Sequence, residues 1–317
     1  MKAIRNVLIL IIILLLAGGC APAKKAENDS QPVGSESESD TSDILSQKIP
    51  ALTGEEPIKP YWASKNAGSA KELLGDVLIV SIFTDDPESE ITPQAANEVL
   101  AELRKTGDWL EAQAQKRGKT LKITTGRDDA ELIVRYTYPK VITDSNGLSY
   151  DDIMLIMKNL KMGAYYNKIT QKYNTQNVAF VFHLNKNGRS YASSSSVKTP
   201  SELLLSDEAY EAEYAYFDVC MIYSMYYSEK TGYGLYAHEL LHLFGAVDLY
   251  YYEFYEDERG EDAVNMYMEK HSLMNTYFQK EIMHSSTPPN EIGDLTAYLI
   301  GWEEKVPIKY AYFLYNN

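Results

Sequence analysis

The stretch YAHELLHLFGAVDLY, residues 236–250, places two histidines, a glutamate and an aspartate in one short segment. On a helix over 233–244, at about 100° per residue, His238 and His242 fall within about 40° of each other, one turn apart. Both imidazoles can therefore reach one ion, while Glu239 lies near the same face but offset by about 60° from His242. Ala237, Leu240, Leu241 and Phe244 occupy the opposite side and are expected to pack into a core. Gly245 can end the helix in a left-handed turn. Asp248, six residues after His242, is then close enough to become a third ligand. Two neutral imidazoles and a carboxylate suit a zinc ion with one position kept open for water. Such an ion lowers the pKa of its water and polarises a carbonyl, and Glu239 is placed to take the water's proton.

Outward from the motif, strands are expected at 75–86, 119–125, 130–138, 177–185 and 215–224, because each is a short run rich in β-branched or aromatic residues. A helix is expected over 92–118, with Thr92 as N-cap, Pro93 at the first helical position and Gly118 as stop. A second is expected over 149–173 as one continuous element. The order strand, helix, strand, strand, helix, strand, strand, helix predicts an α/β or α+β layered domain around five strands.

The motif resembles the metzincin zinc-binding consensus HExxHxxGxx(H/D), in the version with Asp as third ligand found in snapalysin-like peptidases. The resemblance implies an α+β zincin domain with a twisted five-stranded mixed sheet, an active-site helix, and a C-terminal helix after a methionine-containing turn. It implies a zinc metalloendopeptidase with one catalytic Zn2+ held by His238, His242 and Asp248, and Glu239 as general base. KEIMHSS (280–286) resembles the methionine turn at Met283, and NEIGDLTAYLIGW (290–302) the helix that follows; HSLMN around Met274 is a rival for the turn. The chain departs from the pattern in having no tyrosine two residues after Met283, and Tyr277 is a candidate only if Met274 is the turn. The 34 residues between Asp248 and Met283 also exceed the shortest members. The resemblance is specific over about 65 residues and architectural before Gly232.

The remaining histidines have other expected roles. His183 is read as structural within its strand, His284 as a residue able to approach the cleft, and His271 as an alternative third ligand. A downstream glutamate, Glu258, Glu261 or Glu269, would be the third ligand in a gluzincin-type peptidase. The acidic, tyrosine-rich run DLYYYEFYEDERGED is read as an exposed loop, with a calcium site as the alternative.

The N-terminus has a basic start at Lys2 and Arg5 and an apolar run too short for a comfortable transmembrane span, the layout of a signal peptide over 1–19. LAGGC resembles a bacterial lipobox, which would make Cys20 a lipidated first residue and anchor the protein to a membrane on its extracytoplasmic side. Residues 20–70 are acidic, rich in Ser and Pro, and expected to be a disordered tether; 71–317 form the peptidase domain. Cys220 is then a lone cysteine and is read as a small buried apolar residue. The net charge of −15 argues against a nucleic-acid partner. A monomer acting on peptide or protein substrates is expected. A surface-binding lipoprotein with a structural metal is the non-enzymatic alternative. The edge strand that would pair with an extended substrate is expected to be 177–185 or the following GRSYASS.

Overall fold

A computed structural model describes residues 68–143, 147–193, 218–226, 229–249, 278–287 and 290–305. Cys20, Glu258, Glu261, Glu269, His271, Met274, Tyr277 and most of the acidic tyrosine run lie outside the described residues, as do the signal segment and nearly all of the tether.

The described chain is α+β, with five α-helices and a mixed sheet of seven strands. The strands are β1 (Gly75–Asp85), β2 (Leu121–Thr124), β3 (Ile133–Thr137), β4 (Val178–Asn187), β5 (Tyr191–Ser193), β6 (Val219–Tyr226) and β7 (Glu229–Lys230). The helices are α1 (Pro93–Lys116), α2 (Tyr150–Asn159), α3 (Met162–Tyr173), α4 (Tyr233–His242) and α5 (Asp294–Leu299). The expected five strands become seven because two short elements, β5 and β7, carry too few residues to show a period. The sheet is nevertheless five strands wide. β2 and β3 both run parallel to β1 on the edge opposite β4, pairing with its first and second halves. β5 and β7 share the outer edge of β6 in the same end-to-end manner, both antiparallel to it.

Side chains alternate across the sheet, as period-two strands require. Val77, Ile79 and Phe83 join Val181, Cys220 and Ile222 in one core, beneath Leu103 and Leu110 of α1, Leu240 and Leu241 of α4, and Leu295 of α5. Leu78, Val80 and Ile82 join Phe180, Phe182 and Met221 in the other, beneath Ile156 of α2 and Ile169 of α3. Cys220 is fully buried, as its apolar neighbours predict, and burial pushes its thiol pKa well up.

Thr92 caps α1 by accepting from the Ala95 amide at 3.2 Å, and Gly118 takes a φ of 67° just beyond the helix. The single helix expected over 149–173 is instead two. Ser149 and Asp152 form a capping box at the start of α2, and Lys161 adopts a left-handed conformation, φ 52°, that separates it from α3. Lys161 itself is neither glycine nor proline, and Gly163 falls inside the following helix, so helical periodicity ran through the break. A further correction concerns the edge. β4 lies between β1 and β6 and cannot accept another strand, whereas β5 is terminal in the sheet order among the described residues.

Two contacts fix α4 from outside. Gly232 at its N-cap has no side chain to offer, and Glu102 of α1 accepts from the Tyr233 amide at 3.2 Å. At the other end, Ala70 donates to the Leu243 carbonyl at 3.0 Å, so packing of the domain reaches into 68–70, which the sequence assigned to the tether. Among the described residues, no helix is long and apolar enough to cross a membrane.

Candidate metal centre

α4 carries its polar residues where a soluble helix normally carries none. His238 and Glu239 are 3 % and 5 % exposed, and a buried ionisable group is unfavourable unless something compensates it. The helix ends after His242 in a Schellman turn: Gly245, at φ 102°, donates to the His242 carbonyl, and Ala246 donates to Leu241. The chain thereby reverses and brings Asp248 back over the two imidazoles. Its Oδ1 lies 3.0 Å from His238 Nε2 and 3.2 Å from His242 Nε2, and the two rings stand edge-on at 88°.

The opposite ring nitrogens decide what those contacts mean. His238 Nδ1 lies 2.9 Å from the Ile282 carbonyl, and His242 Nδ1 lies 2.9 Å from the Ala246 carbonyl. A carbonyl only accepts, so both Nδ1 atoms donate. In the neutral rings both Nε2 lone pairs therefore face the Asp248 carboxylate, three acceptors turned on one point. Only a shared positive charge resolves this, either protons on the imidazoles or a metal ion. The donor set of two imidazole nitrogens and a carboxylate oxygen suits zinc. The observed spacings are also near the ~3.3 Å between donors that a tetrahedral ion with bonds of about 2.0–2.1 Å imposes.

The electrostatics follow from the same closeness. Burial alone would raise the Asp248 pKa, but the two imidazoles outweigh it and hold the carboxyl well below the usual range. Burial likewise works against the His242 cation, yet Asp248 holds its pKa up at about 9. Glu239 is raised, by burial first and by Asp248 as well, with His238, His242 and Arg189 opposing.

The turn beneath the histidines is residues 278–285, closed by Glu281 donating to Phe278 and His284 donating to Glu281. Met283 is fully buried there, its carbonyl accepting from Leu249 at 2.9 Å. Glu281 pins this turn to α5, because its Oε2 accepts from the Gly293 amide at 2.6 Å. Burial raises the Glu281 pKa to about 7.

A cleft of about 550 Å³ opens over the site, lined by His238, Glu239, His242 and Asp248 together with β5 residues and Ser285–Ser286. His284 joins its wall, with Nδ1 donating to Leu249 at 3.1 Å. His183 stands elsewhere, buried in β4 with its ring beside those of Phe83 and Tyr236. His238, Glu239 and His242 also have ligand atoms within 4.8 Å of one another. Asp248 Oδ1 is nearer still to both nitrogens.

Three features had no signal in the sequence. The Ile282 and Ala246 carbonyls that orient the histidines are backbone atoms, invisible to residue type. Arg189, whose charge Glu239 feels, lines the cleft from the short connection between β4 and β5. Glu281 reads as an ordinary surface acid until the turn buries it.

No family model matches the chain, and comparison with curated proteins finds no match.

Proposed function

We propose that this protein is a zinc-dependent endopeptidase, tethered outside the cell through a lipidated Cys20, with a metzincin-like catalytic domain. The observation that carries the reading is the convergence of His238 Nε2, His242 Nε2 and Asp248 Oδ1, with both Nδ1 atoms already engaged by carbonyls. His238, His242 and Asp248 would hold one Zn2+, which when bound supplies Lewis acidity toward a peptide carbonyl and acidifies a water.

The chain's own groups supply the rest. β5 is terminal in the sheet and borders the cleft, so an extended peptide can pair along it with the scissile bond above the histidines. Glu239, buried and with its proton affinity raised, takes a proton from the attacking water as oxygen bonds to the carbonyl carbon. It then delivers that proton to the departing amine nitrogen as the C–N bond breaks. Support for the metzincin-like reading also comes from the buried Met283 turn under His238 and from a sheet five strands wide with an antiparallel edge strand.

A second reading rests on the nearness of Glu239 to both histidines: a four-donor structural metal site in a binding lipoprotein. Incubation of the zinc-loaded full chain with a peptide mixture, read by mass spectrometry of new termini, separates the two. Cleavage lost in Glu239→Ala with zinc retained is the expected result. A weakened zinc affinity in that variant, with no cleavage by the parent, favours the structural site.

A further inference from the structure

The connection between β4 and β5 is short, and the residues on either side of Arg189 are fixed onto β6. Gly188 donates its amide to the Met225 carbonyl at 2.9 Å. A Cβ on it would lie 2.5 Å from the Tyr223 ring, so only glycine lets the chain pass at this separation. Ser190 is buried, and its hydroxyl accepts from the Tyr223 amide at 3.1 Å. Arg189 stands between these two anchors, is itself exposed, and lines the cleft over the histidines. Its backbone is thereby held while its side chain stands in the cleft wall.

The charges around it differ in what they are committed to. Lys186, the other cation of this stretch, is largely buried and pairs with Asp86 at 2.6 Å. The acids lining the cleft are Glu239 and Asp248, both within the cluster around His238 and His242, and no other carboxylate lines it among the described residues. Arg189 is the one arginine or lysine of that described wall. Its charge is felt at Glu239, which places it near the position of a scissile bond, and β5, the strand along which a peptide can pair, begins two residues after it.

Resting on the peptidase reading, we propose that Arg189 is a specificity-determining residue, selecting peptides with an aspartate or glutamate within about two residues of the scissile bond, the span that extended chain at about 3.3 Å per residue keeps within reach of one arginine. A guanidinium has five N–H donors in a fork that matches a carboxylate, so it can grip one while keeping another contact. An amide of the same shape carries no charge and forms the weaker bond. The net charge of −15 disfavours acidic peptides at long range, so the selection arises on contact within the cleft.

The test separates binding from cleavage. The zinc-loaded full chain carrying Glu239→Ala is titrated with short, fluorescently labelled alanine–serine peptides in which one glutamate is moved through each position, and with their glutamine counterparts, read by anisotropy. The best glutamate peptide is expected to bind about 10-fold tighter than its glutamine twin, the scale of a charge-assisted pair. In the same background Arg189→Gln is expected to erase that preference and Arg189→Lys, a point charge without the fork, to keep only part of it. Equal binding within every pair, or a preference of the same size in Arg189→Gln, overturns the proposal. Should Arg189→Gln not fold, the pairs on the arginine-bearing chain and the Arg189→Lys result still decide it. The chain with Glu239 intact, given the same peptides and read by mass spectrometry, reports on the peptidase reading separately: an Arg189-dependent glutamate preference without cleavage upholds the selectivity and removes the peptidase.

Discussion

His238 and Ile282 stand 44 residues apart in the chain, yet the imidazole Nδ1 of one donates to the carbonyl of the other at 2.9 Å. That bond joins α4 to the turn around Met283 and fixes which nitrogen of His238 faces Asp248. Outer partners of this kind set the orientation of metal ligands and their basicity.

Asp248 is expected to be indispensable to metal retention. Asp248→Ala removes the oxygen that both imidazoles face and should weaken zinc binding by at least about 100-fold, beyond what loss of an outer partner costs. Competition with a chromophoric chelator measures this. Single Ala variants of Glu258, Glu261 and Glu269 should leave affinity unchanged; loss of zinc in one of them, with Asp248→Ala unaffected, would show a gluzincin-type ligand set instead.

Gly245→Ala should couple fold and site. At φ 102° an alanine is strained, at a cost of about 1 kcal/mol or more. The strain falls on the turn that returns Asp248, so a lower melting temperature should come with weaker zinc binding. A stability loss with unchanged affinity would mean that the turn does not position the aspartate.

Glu281 gives the fold a pH dependence of its own. Its pKa rises from 4.5 to about 7 on folding because the carboxyl is buried. The folded state thus holds the proton more tightly than the unfolded one. The associated stabilisation is complete below about pH 4.5 and is lost as pH rises through about 7, on the order of 3 kcal/mol in all. Thermal melts of the parent between pH 5 and 8 should show this decline, and Glu281→Gln should flatten it. An identical slope in the variant would assign the effect to other groups.

Gly68→Ala tests where the domain begins. A Cβ there would sit 2.0 Å from the Leu243 carbonyl oxygen, so the segment or the end of α4 must move. The expected destabilisation is about 1–3 kcal/mol by denaturant unfolding. A neutral result would show that 68–70 contribute little to the folded unit.

The stacking of His238 and His242 was legible in the sequence because helical spacing alone sets it, and the helix stop because Gly245 marks it. The apolar runs of β1, β4 and β6, rich in β-branched and aromatic residues, were legible for a similarly local reason. Strand order was not: β4 looks no different in composition as an interior strand than it would at an edge, since pairing joins segments far apart in sequence. The break between α2 and α3 was hidden because Lys161 takes a positive φ that favours glycine. The burial of Glu281 could not be read from sequence either, since it depends on what distant elements pack around it.

Ala246 does two things at once: its amide closes the helix on Leu241, and its carbonyl accepts from His242 at 2.9 Å. The stretch from His242 to Asp248 therefore acts as a ruler whose length cannot drift. Adding or removing one residue there would misplace the helix stop, the imidazole tilt and the carboxylate together, with no way to repair one alone. Changes in length are tolerable only where the chain is free of that triple duty, so variation in loop size should be confined to segments outside the ruler.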